Sequence, residues 1–164
     1  MKHFHAVLLL TSTLLLNACG SSKTPETAVV DAQPAAAAQP KPKGCELITA
    51  DEMSQLLGAA VVPTADEGGG RTGCNWAPAA GGMPFAELKV EWGMAEAAMQ
   101  AAGMLSKHEP GINDPYDDLG DEAWITGPMV MVKRNEDLIT LMVYGPGDTE
   151  AAIHKMYETA TSRL

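Results

Sequence analysis

Residues 122–144 read EAWIT-GP-MVMVKR-NED-LITLMVY, and this stretch decides the fold class. Three runs rich in apolar residues, 122–126, 129–134 and 138–144, are separated by Gly127-Pro128 and by Asn135-Glu136-Asp137. These separators are turn formers, so the segment predicts a β-meander, whose tight connections make neighbouring strands antiparallel. Upstream, Phe85 to Trp92 carries Ala86, Leu88, Val90 and Trp92 in alternation with Glu87, Lys89 and Glu91. That period of two marks a strand with one face in the core and one in water. The meander differs. Residues 129–132 and 138–143 are apolar at both parities, so both faces of those strands need cover.

Helices frame these strands. Thr49-Ala50-Asp51-Glu52 is a capping box, with Ile48 placed to staple onto Met53, Leu56 and Leu57 following on, and Gly58 as the left-handed stop. This predicts a helix over 50–57. Residues 94–107, rich in Ala and Met, predict a second helix, weakened at Gly103 by about 1 kcal/mol relative to Ala. A third starts at Asp148 and presents Ile153, Met156, Ala160 and Leu164 on one side. Val61-Val62 begins a short strand and Cys74–Ala77 forms another, while 65–73 and 108–118 read as loops. The expected fold is α+β, an antiparallel sheet with helices on one face. Residues 48–92 and 94–145 could each be one helix followed by strands, an approximate repeat.

The N-terminus has a different grammar. Lys2 is followed by an apolar run, Ala6 to Leu16, and then by Leu16-Asn17-Ala18-Cys19. Charge, apolar stretch and a small residue before the cut define an export signal. The run falls well short of the roughly 20 residues that span a bilayer as a helix. Leu16-x-Ala18-Cys19 resembles the lipobox of bacterial lipoproteins, which implies that residues 1–18 are removed and Cys19 is acylated. The expected localisation is the cell envelope, at the outer membrane where the host has two, since Gly20 and Ser21 follow Cys19 without a retention aspartate. Residues 19–44 are rich in Pro and Ala with almost no large apolar side chain, the composition of a tether. At about 3.1 Å per residue, the 24 residues from Gly20 to Lys43 reach at most ~75 Å.

Residues 45–164 then form a single domain. Seven Lys and Arg face nineteen Asp and Glu there, the reverse of a nucleic-acid footprint, and anionic headgroups are disfavoured too. The expected partners are the membrane, through the lipid, and an envelope protein. With Cys19 set aside, Cys45 and Cys74 form an even pair in an oxidising compartment, which predicts a disulfide contributing about 3 to 4 kcal/mol in the chain-entropy account.

Cys45-Glu-Leu-Ile-Thr49, Leu56-Leu57-Gly58, Gly73-Cys74-Asn75-Trp76 and Leu119-Gly-Asp-Glu-Ala123 occur in an order that resembles small lipoproteins of unknown function, a group well known from actinomycetes. The resemblance covers most of 45–145. It implies paired cysteines and an α+β fold, and it brings no catalytic residues.

No constellation for catalysis stands out. His108 and His154 are the histidines of the mature chain, without a Gly-x-Ser-x-Gly or a His-x-x-x-His beside them. Gly68–Gly73 lacks the Lys-Ser/Thr and the following helix of a phosphate loop. Six acids between Glu109 and Glu122 lack EF-hand spacing and read as a solvated loop, weak cation binding being the alternative. Met129 and Met131 share one side of a strand, and thioethers ligate Cu(I), but core packing is the favoured reading. No enzyme activity, cofactor or metal site is expected. Met129, Met131 and Met142 are instead the candidate interaction surface, if they lie on the sheet face away from the helices. The favoured function is a non-catalytic, tethered binding domain; the alternative is an inhibitor of a periplasmic or host hydrolase, its acidic loop plugging a basic cleft.

Overall fold

The computed structural model describes residues 40–164. The expected export signal, Cys19 and nearly all of the expected tether lie outside the described residues. Within these bounds the chain opens with a short helix α1 (Gly44–Leu47), followed by α2 (Ala50–Leu57), β1 (Val62–Ala65), β2 (Arg71–Ala77) and β3 (Phe85–Glu91). Helix α3 (Ala95–His108) leads to β4 (Asn113–Pro115), β5 (Glu122–Thr126), β6 (Met129–Arg134), β7 (Asp137–Tyr144) and α4 (Thr149–Thr161). All seven strands form one antiparallel sheet in the order β1-β2-β3-β7-β6-β5-β4. The fold is α+β. Among the described residues no helix is long and apolar enough to cross a membrane.

Local signals act as read. Thr49 Oγ1 accepts from the Glu52 N–H while the Glu52 carboxylate accepts from the Thr49 N–H, and Gly58 ends α2 at φ 67°. Asp148 caps α4 by accepting from the Ala151 N–H. Three boundaries moved. Strand pairing extends β1 through Ala65 and starts β2 at Arg71, so the glycine-rich loop is shorter than expected. The expected loop 108–118 contains β4, an edge strand held by β5 although Asn-Asp-Pro carries little strand propensity. Gly44, assigned to the tether, is buried in α1.

Gly44 shows why. The disulfide joins Cys45 to Cys74 across a Cα–Cα distance of 4.9 Å and a sequence separation of 29. Each cysteine follows a glycine, because the bridge presses the two backbones together: a Cβ on Gly44 would collide with the carbonyl of Gly73.

Cross-strand register sorts every side chain to one of two faces. On the first face Cys74, Leu88, Leu141 and Val130 form one row, and Thr72, Val90, Ile139, Val132 and Ala123 the next. These strand residues are buried, and they pack with Leu47, Ile48, Met53, Leu57, Ile153, Met156 and Ala160 from α1, α2 and α4. The second face carries α3: Ala95 and Met99 are buried with Leu138, against Trp124 and Met131. The expectation of helices on one face is therefore corrected. Leu138, Met131 and Trp124 give the second face its own apolar surface, and the crossover from β3 to the far edge of the sheet lays α3 over it. The expected repeat is not seen: α2 and α3, the helices leading its two halves, pack on opposite faces.

Candidate functional site

The second face is covered only in part. Helix α3 starts where the β6–β7 turn satisfies its first N–H groups: Glu136 O accepts from the Ala95 N–H at 3.1 Å, and Asp137 Oδ1 from the Gly93 N–H at 2.9 Å. On one flank Glu96 pairs with Lys133 at 2.8 Å, and Gly103 sits over the Trp124 ring. That flank looks toward β5 and β6. The opposite flank carries Met94, Ala98, Ala101 and Leu105 at helical spacing, with Ala98 packed on the Leu138 cluster. Met94 and Leu105 are each 49% exposed.

Beside that flank lies the uncovered part of the sheet. One row runs Asn75, Glu87, Met142, Met129 and Thr126. In the next, Phe85 pairs with Tyr144, their rings stacked at 4.6 Å between centroids. All of these side chains are half-buried. The row across Lys89, Thr140, Met131 and Trp124 forms the boundary with α3. The one carboxylate among the apolar side chains, Glu87, is paired to Lys89 at 2.9 Å.

The three expected methionines are thus brought to one face, with different surroundings. Met129 and Met142 are direct partners on the uncovered part. Met131 packs against the α3 cluster. Strand parity made their shared side legible, but nothing in the local sequence told which face α3 would take. Phe85 and Tyr144 were missed because they end their strands, where a sequence pattern ceases to inform.

Other candidates gather elsewhere. The acidic loop folds around a shallow depression of about 400 Å³ lined by Pro115–Ala123. Burial, and then the charges of Glu150 and Asp148, push the Tyr116 hydroxyl above its ordinary value, so the start of α4 adds to this acidic region. His154 lies 5.9 Å from the Tyr116 ring, while His108 ends α3. A second groove, about 370 Å³, runs between α2 and α4 and is lined by Ile48, Gln55, Leu56, Lys155, Met156 and Thr159 with Glu52. Glu52 there forms a 2.6 Å ion pair with Arg163. The Arg163 hydrogen bond, with those from Thr49, holds the Glu52 carboxyl down at about 2. Among the described residues no three His, Cys, Asp or Glu side chains gather as metal ligands.

No family model, curated protein or solved structure matches the chain.

Proposed function

We propose that this chain is an acylated envelope protein whose single α+β domain binds a partner through the uncovered part of the second sheet face. One observation carries the reading. In a domain with nineteen acids, the surface formed by Met129, Met142, Phe85, Tyr144 and the flank of α3 holds a single carboxylate, already paired. Low charge with aromatic residues and Met is the composition of interface cores. The lipobox at Cys19 and the resemblance to small lipoproteins support an envelope location, and a Pro-rich tether would let the domain reach its partner.

The reading is tested with the full chain in its own membrane. A photoreactive residue at position 144 should give a discrete adduct, lost on adding Met142→Lys, whereas one at Gln100 on the outer side of α3 should give none. Equal labelling from both positions would overturn it. Replacing Cys19 with Ser should abolish acylation and leave the precursor uncut; normal maturation of that variant would remove the anchor from the proposal.

The inhibitor reading draws its support from the acidic depression, to which Asp148 and Glu150 add charge. Stoichiometric loss of activity in a basic-cleft hydrolase, abolished by neutralising Asp117 and Asp118, would favour it over the binding face.

A further inference from the structure

Nine methionines follow the initiator, and the fold sorts them into three groups. Met53, Met99 and Met156 are 0–4% exposed and fill the core, while Met83, Met94 and Met104 stand out in solvent at 57%, 49% and 59%. Met129, Met131 and Met142 are the third group: half-buried, and on one face of adjacent strands. Met129 and Met142 are direct cross-strand partners. Such partners hold their Cβ atoms about 4.5–5.5 Å apart. Met131 is the next residue of β6 on that face, about 6.6 Å along the strand. With three rotatable bonds each, the thioethers of such a trio can close on one ion.

We propose that Met129, Met142 and Met131 form a site for a soft monovalent metal ion, Cu(I). This deepens the reading of the second face as a binding face and rests on it. Thioether sulfur selects Cu(I) over the harder divalent ions. Cys45 and Cys74 are both committed to the disulfide, so thioethers are the soft donors the domain has left. They need lose no proton to bind, unlike thiols or imidazolium. The row through the pair carries Glu87 on one side and Thr126 on the other. The ammoniums nearest in register, Lys133 and Lys89, are held by Glu96 and Glu87. Trp124, opposite Met131, and the stacked Phe85–Tyr144 pair flank the trio in register. Sequence alone put two of the sulfurs on one side of a strand; pairing β6 with β7 supplies the third.

The test uses the full chain with its disulfide intact. Cu(I), kept reduced with ascorbate and buffered by a chromophoric chelator, is titrated anaerobically, with Ag(I) as a redox-inert second probe. One ion per chain is expected, with methyl NMR shifts at Met129, Met131 and Met142 and none at Met83 or Met104. The double variant Met129→Leu/Met142→Leu conserves volume and apolarity. It should lose at least 30-fold in affinity at an unchanged melting temperature, while Met104→Leu binds as the parent does. No bound ion, or binding that survives the double variant, overturns the site. Photo-adducts from position 144 of the parent chain, scored without added metal, report on the binding face, whereas the metal titration is read without any partner. The two proposals therefore fail separately.

Discussion

The two faces of the sheet use the same strands to different ends. On the first, Leu88, Val90, Val130, Val132, Ile139 and Leu141 are all 0% exposed beneath α1, α2 and α4. On the second, the neighbouring residues of those strands are Lys89, Met131, Thr140 and Met142, and α3 reaches only some of them. A one-residue step along β7, from Leu141 to Met142, crosses from a sealed core to a half-open surface. The contrast teaches that both-parity apolar strands need not be buried twice. One face is sealed by three helices, and the other is left partly open beside α3.

The largest effect that would break this comparison lies in that step. Leu141→Lys puts an unpaired ammonium in the centre of the first face. It should cost upwards of about 5 kcal/mol, comparable to the whole stability of a domain this size. Leu141→Ala should cost about 3 to 4 kcal/mol. Urea unfolding monitored by Trp fluorescence measures both. A Leu141→Lys protein that melts like the parent would mean the first face is not the core.

The disulfide comes next, because it ties the start of α1 to β2 on that same face. Cys45→Ser/Cys74→Ser should lower stability by about 3 to 4 kcal/mol. Gly44→Ala should weaken the domain even with both cysteines present, since its Cβ has no room against Gly73. Thiol titration of the unreduced parent should find no free thiol in the domain.

A finer division runs within the second face. Met131→Lys drives a charge under α3, against Met99 and Leu138, and should cost about 2 to 3 kcal/mol. Met142→Lys, on the uncovered part, can turn its ammonium to water and should cost about 1 kcal/mol or less. Parallel thermal melts compare them. Equal costs would erase the boundary that α3 is said to draw.

Legibility followed how local each cause is. The capping box at Thr49, the stop at Gly58, the Asp148 cap and the meander from Glu122 to Tyr144 are set by residues within a few positions, and they were readable to within a residue. Strand β4 was not, because Asn113-Asp114-Pro115 is extended through its pairing with β5 rather than by its own propensity. The face taken by α3 was not either. It depends on which way the chain crosses from β3 to the far edge, and Trp124 and Leu138, which receive it, lie 29 and 43 positions from its start. The methionine trio was half legible for the same reason. Parity along β6 joined Met129 to Met131, but Met142 joins them only through the β6–β7 register.

The smallest effect concerns the helical layer over the first face, where Glu52 of α2 meets Arg163 just after α4. The guanidinium and the Thr49 hydrogen bonds lower the Glu52 carboxyl from 4.5 to about 2 in the folded chain. A depressed carboxyl contributes stability that is fully present above its unfolded value, near 4.5, and is lost as pH falls toward 2. Both side chains are more than a third exposed, at 36% and 38%, so water screens the pair and its contribution is about 1 kcal/mol or less. Glu52→Gln isolates the charge, because glutamine also completes a capping box. The parent should exceed the variant in stability by that amount at pH 7, and the two unfolding curves should converge between pH 4.5 and pH 2. The gap at pH 7 should also shrink in 1 M salt, where charges are screened beyond about 3 Å. A gap that persists unchanged at pH 2 would mean Glu52 acts through packing alone, and that α2 and α4 are held together by the apolar contacts of Ile48, Leu56 and Met156 beneath the pair.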